Sequence, residues 1–133
     1  MELDSWSRAA RGLREHVRQV AAALHPAGTA YWVQTDDPVS AYIPLEHHFY
    51  GFPGRDAALL WSPERGWTAV VEDDDEPLVI SYLGANLPAP EQVTAFVEAL
   101  TEGRPAGRPV PPVLTPPSTI ALAALAPQLE RIA

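Results

Sequence analysis

Apolar residues recur at helical spacing near both ends of the chain and alternate with polar ones in between, and this change of period divides it into segments. Trp6, Leu13, Val17, Val20 and Leu24 share one side of a helix that Ser5 caps. His25-Pro26 ends it at Leu24, because the residue before proline is driven out of the α region. Five period-2 stretches follow: Thr29–Thr35, Val39–Glu46, Ala57–Ser62, Trp67–Glu72 and Leu78–Leu83. Pro44 cannot donate to a ladder, which points to an edge strand or a bulge. Ser62-Pro63-Glu64-Arg65-Gly66 has the chemistry of a hairpin turn, with φ preset at Pro63 and positive φ available at Gly66.

A second helix opens at Pro90 and carries Val93, Phe96, Val97 and Leu100 as one stripe before Gly103. Six of the fourteen residues from Arg104 to Pro117 are proline, the composition of an extended linker rather than packed structure. The tail from Ser118 is helical in composition, with Leu122, Leu125, Leu129 and Ile132 on one side, and Pro127 is expected to kink or restart it. The resulting architecture is α+β: an N-terminal helix, a five-stranded antiparallel meander, and a second helix on the same face, forming one domain over 1–103. The linker, 104–117, and the tail helix, 118–133, follow it, and the apolar stripe of the tail is expected to dock on this domain, with exchange between two copies as the alternative.

Charge narrows the partners. The net charge is −8 and all nine basic residues are Arg, a bias that GC-rich codons would produce. Residues 1–25 balance to +1 and the rest of the chain to −9, so Arg8, Arg11, Arg14 and Arg18 form a local basic strip on an acidic protein. A broad phosphate-binding surface needs clustered cations, so nucleic acid is an unlikely partner. No run of 18 or more apolar residues exists and the first residues are acidic, so neither a membrane span nor a leader peptide is expected. The absence of cysteine agrees with a cytoplasmic setting and removes disulfides and thiolate metal sites.

The stretch HHFYGFPGRD, His47 to Asp56, concentrates the candidate chemistry. Adjacent His47 and His48 lack metal-ligand spacing, and as general bases they would need a positioned partner such as Asp56 or Tyr50. The plainer interpretation is an ordered loop punctuated by Gly51, Pro53 and Gly54, in which Phe49, Tyr50 and Phe52 close the core and Arg55 pairs with Asp56. Loops of this length on rigid scaffolds often bind partners. The run Asp73–Glu76 lacks the alternating spacing of a calcium loop and reads as a solvated hairpin tip. No phosphate loop or nucleophile motif is present, so no catalytic residue, metal or cofactor is assigned.

The stretches AYIPLE, GFPGRDAALLWSPERGW followed by AVVE, and YLGANLPAPEQVTAFV resemble a family of small actinobacterial proteins of unknown function, over roughly residues 10–102. That resemblance implies no site residues. Size, acidity and element order also resemble the secretion-chaperone-like α+β fold, whose members bind a segment of a partner polypeptide and are often dimeric. Two functional expectations follow. The first is a non-catalytic accessory protein that recognises another polypeptide, or a second copy of itself, through a sheet edge, the His47–Asp56 loop, the Arg11, Arg14 and Arg18 strip, or the tail stripe Leu122, Leu125 and Leu129. The second is a small-molecule protein or small enzyme with a pocket between the first helix and the sheet, lined by Trp32, Tyr42, His47, His48, Tyr50 and Asp56, with Arg55 beside them.

Overall fold

The first helix, α1 (Arg8–Leu24), starts where Ser7 accepts a hydrogen bond from the Ala10 N–H at 3.1 Å. Ser7, not Ser5, is therefore its cap, since this hydroxyl satisfies one of the amides that a helix start leaves unpaired. A computed structural model describes residues 7–36, 38–111 and 118–133, the last stretch with side chains from residue 123 onward. Ser5, Trp6, Asp37, Pro112, Pro116, Pro117 and the side chain of Leu122 lie outside the described residues.

Five antiparallel strands follow in simple meander order: β1 (Trp32–Gln34), β2 (Ser40–Pro44), β3 (Ala57–Ser62), β4 (Gly66–Val71) and β5 (Leu78–Tyr82). The first two are shorter than their alternation predicts. Pro44 sits on β2, which is second from the edge rather than at it. Leu45 donates to the Ala57 carbonyl, so by alternation the Pro44 nitrogen faces the β1 side, where β1 has already ended at Trp32 opposite Tyr42. Its missing donor therefore removes no ladder bond. The Pro44 carbonyl is taken instead by the buried His25 ring through Nε2 at 2.8 Å.

The helices α2 (Pro90–Glu102) and α3 (Ser118–Ile132) join α1 on one face of the sheet. Gln92 accepts from the Ala89 N–H at 2.9 Å to cap α2, and Gly103 ends it at φ 82°. Leu13, Val17 and Val20 of α1 and Val93 and Phe96 of α2 are buried with Ile43, Leu59, Trp61, Trp67, Ala69 and Val71 of the sheet. Within this layer the Trp67 indole N–H donates to His16 Nε2 at 3.1 Å. His16 therefore carries its proton on Nδ1, and burial pushes its pKa down to about 4.

Two features of the C-terminal part differ from the sequence expectation. Residues 106–108 are not a free linker: Tyr82 and Arg108 exchange two backbone hydrogen bonds of 2.9 Å, and Ser81 Oγ donates to the Ala106 carbonyl at 2.7 Å. The exposed edge of β5 has backbone groups to satisfy, and this segment satisfies them. The tail helix also runs through Pro127 without restarting. It is held against α1 on both sides of that residue, with Leu125 and Leu129 buried and Arg8 Nε donating to the Glu130 carbonyl at 3.1 Å.

Gly12 sets how closely α1 and α3 approach, because a Cβ there would fall 1.6 Å from the Leu129 carbonyl oxygen. In an exposed helix Gly→Ala stabilises by about 1 kcal/mol; here the sign reverses. Gly12→Ala is expected to lower stability by about 2 kcal/mol, the order of one buried leucine, and to make α3 the first segment cut by protease. Unchanged urea unfolding and an unchanged cleavage pattern would show that α3 is not seated at Gly12.

His16 gives a pH dependence of defined sign. Above pH 6.5 the imidazole is neutral in both the folded and the unfolded chain and costs nothing. As the pH falls from 6.5 towards 4 the unfolded chain takes up a proton that the folded one refuses, so stability drops by up to about 3 kcal/mol and flattens below. His16→Gln keeps an acceptor for Trp67 and does not titrate. Urea midpoints at pH 7 and pH 4.5 should differ less in the variant than in the parent; equal differences would remove His16 from the acid response.

Candidate functional site

All three helices lie on one face of the sheet, so among the described residues no element covers the other. Pairing defines that open face. Trp32 stands opposite Tyr42, Tyr42 opposite Leu60, Leu60 opposite Thr68, and Thr68 opposite Tyr82. The next row carries Pro44, Ala58, Val70 and Val79. The register shifts between Ala69 and Val70 leave Ile80 as the extra residue of β5, so that Val79 falls on the open face and Ser81 on the helical one.

This face holds a concavity of about 510 Å³ to which every strand contributes. Its apolar lining is Trp32, Tyr42, Leu60, Val70, Val79 and Pro77; Gln34, Ser40, Ser62, Thr68 and Arg65 supply polar groups. Trp32 is 58% exposed, and its ring meets that of Tyr42 edge-on with centroids 5.4 Å apart. The Tyr42 hydroxyl donates to Glu72 Oε1 at 3.2 Å. Burial and the neighbouring Glu72 carboxylate both raise the phenol pKa, so Tyr42 stays a neutral donor. An exposed indole is thus braced by a phenol that is itself held by a carboxylate.

Among the described residues the interface between the first helix and the sheet, where a pocket is expected, is filled by Leu13, Val17, Val20, Ile43 and Leu59. Of the residues assigned to it, Trp32 and Tyr42 line the concavity on the opposite face, and His47, His48, Tyr50, Arg55 and Asp56 do not. The His47–Asp56 loop is tied down by its own bonds. Tyr50 N–H donates to the Leu100 carbonyl at 3.1 Å, Gly54 N–H to His48 Nδ1 at 3.2 Å, and Phe49 is buried. Tyr50 does not close the core: its side chain is exposed, lying against Gly103. Arg55 pairs not with Asp56 but with Asp73 Oδ1 at 3.1 Å and the Glu72 carbonyl at 3.3 Å. The Asp74 N–H and then Arg55 hold the Asp73 carboxyl below its ordinary range. His47 borders a separate 80 Å³ crevice with His25, Glu46, Val97 and Thr101. Among the described residues no group of three or more His, Cys, Asp or Glu is placed to hold a metal.

The arginine strip is engaged with its own chain. Arg18 grips Glu15 through Nε and Nη2 at 2.6 and 2.8 Å, which lowers the Glu15 pKa, and Arg8 holds Glu130. Arg11 and Arg14 are not free cations either. Leu125 and Leu129 are spent on α1. What the sequence reading misses is the middle of the open face, Leu60, Val70 and Val79. Its trace in the sequence is that β3 and β4 are apolar at both parities, although a solvated face would be polar.

No described helix is long and apolar enough to cross a membrane. No curated protein and no solved structure matches the chain. A protein-family model does match, over residues 16–99, which runs from the middle of α1 through the whole sheet to α2 and leaves α3 outside. The chain belongs to that family, described as a family of unknown function (DUF6292).

Proposed function

We propose that the chain is a non-catalytic binding protein that recognises another polypeptide on the open face of its sheet. The observation that carries this is the mainly apolar, strand-spanning concavity with Trp32 exposed at its β1 end. Trp and Tyr are among the residues that most often anchor interfaces, and Trp32 and Tyr42 stand together at this end of the concavity. The acidic balance and lack of cysteine support an accessory role in the cytoplasm.

A second occupant is favoured by one number: 510 Å³ falls within the range of small-molecule sites, and Arg65 at the turn between β3 and β4 would orient an anionic group. The shallow, strand-spanning form of the concavity supports the polypeptide over it, since small ligands are usually enclosed.

The test is quantitative capture from the native host with the full chain and its Trp32→Ala variant as baits. At 58% exposure the indole is dispensable for folding, so the variant should keep its circular dichroism and urea midpoint. Partners held by the face should fall by about tenfold or more in the variant, the loss typical of an anchoring aromatic residue. Identical partner profiles would remove the face from the function. A small molecule that remains bound through native mass spectrometry of the parent, and is lost from the variant, would transfer the face to the second occupant.

A further inference from the structure

Resting on the open face as a polypeptide-binding surface, we propose that its ligand is a proline-rich, basic segment of a partner, bound as a polyproline II helix across the strands. The direction of the groove comes first. Its lining runs from Trp32 on β1 over Leu60 and Thr68 to Val79 on β5. Five strands leave four spacings of about 4.8 Å, a path of about 19 Å. Six residues of polyproline II at about 3.1 Å each cover the same path.

Backbone chemistry then selects the conformation. The carbonyls and amides of β2, β3 and β4 are paired with strands on both sides, so the middle of the face has no ladder to offer a ligand. A β-strand ligand needs such a ladder and finds it only at an edge. At β5 part of that edge is occupied by Arg108. Polyproline II makes no internal hydrogen bonds, is pre-ordered by its own rings, and docks on aromatic-lined grooves through side-chain contact. The edge-on pair of Trp32 and Tyr42 provides that aromatic wall, with Leu60, Val79 and Pro77 as the accessible apolar floor and far end.

Charge selects the composition. Tyr42 is braced by Glu72, and the run Asp73, Asp74, Asp75 and Glu76 leads directly to Pro77 at the end of the groove, while Arg55 neutralises only Asp73. Arg65 marks the opposite flank. A ligand with arginine or lysine at one end meets this acidic end, and an acidic ligand does not. The chain's own segment 104–117 has the same chemistry, six prolines with Arg104 and Arg108 and no acid, but its Arg108 is held against Tyr82 in its own chain.

The probe is a decaproline flanked by arginines, titrated into the full chain by calorimetry and by tryptophan fluorescence. Trp32 is the exposed indole of the groove lining, and the same titration of Trp32→Ala shows how much of the fluorescence change it reports. Binding is expected to weaken about tenfold or more in Trp32→Ala and in Tyr42→Ala, to weaken several-fold in Glu72→Gln and between 50 mM and 500 mM salt, and to remain unchanged in Tyr50→Ala, whose exposed ring lies outside the groove. A glycine-serine peptide with the same arginines should bind at least tenfold more weakly. Equal binding of the two peptides, or binding that survives Trp32→Ala, overturns the proposal. So does tighter binding of an amphipathic helical peptide of the same charge. Concentration-dependent self-association that a free 104–117 peptide dissolves reassigns the face to a second copy and likewise overturns it. If host partners depend on Trp32 while the proline peptide does not, the ligand class fails and the face stands; if host partners ignore Trp32, the face itself fails.

Discussion

The structure turns on α1, which is covered from two directions at once. Leu13, Val17 and Val20 lie in the core shared with the sheet, and at Gly12 the helix α3 comes so close that only a hydrogen side chain fits. His16 adds a directional contact, since Trp67 on β4 donates into its ring and so fixes how α1 lies over the sheet. Burial costs His16 its charge, but the neutral ring satisfies a buried indole N–H that would otherwise be unpaired. With α2 beside it and α3 on its outer side, all helical cover is committed to one face. On the opposite face no described helix lies, and Trp32 and Val79 on the two edge strands stay exposed there.

That asymmetry explains which parts of the architecture are legible in the sequence. Helical periodicity from Arg8 to Leu24 and from Pro90 to Glu102 reports a local property, one stripe against one surface, and both helices end where His25-Pro26 and Gly103 place them. The Pro63–Gly66 turn likewise fixes the β3–β4 hairpin from local chemistry alone. Failures occur where a distant contact overrides the local preference. Pro44 suggests an edge because sequence cannot show that β1 stops at Trp32. The Pro-rich segment suggests a free linker because sequence cannot show that Tyr82 has an open ladder position for Arg108. Pro127 suggests a break because sequence cannot show Leu125 and Leu129 docked on either side of it.

The candidate site shows the same division. Concentrated polar chemistry in HHFYGFPGRD draws attention, yet those groups are used locally: His48 by Gly54, Tyr50 N–H by Leu100, and Arg55 by Asp73. The loop is therefore an ordered clasp between β2 and the end of α2. Trp32 and Tyr42 are recognisable as candidates in the sequence, but they are joined only by the pairing of β1 with β2, and they sit on the face away from the helix. Leu60, Val70 and Val79 come together only through the β2–β3–β4–β5 register and the irregularity beside Ala69.

A sheet covered on one side is normally polar on the other, and this one departs from that rule at specific positions. Val70 is as buried as the inward row of Leu59, Trp61, Ala69 and Val71, whereas Leu60 is half-buried and Val79 is 39% exposed. A polar residue at 79, the exposed outward position, would serve folding equally well and solubility better. Strand propensity accounts for valine at 70 and 79, since β-branched residues suit a pleated surface, but it does not account for an indole left more than half exposed on the shortest strand. Trp32 has its neighbours on one side only, Tyr42 and the concavity beyond it. The contacts that would remove the rest of its surface from water are missing from the chain's described residues, and a partner that supplied them would gain the burial of a large aromatic side chain with little loss of side-chain freedom.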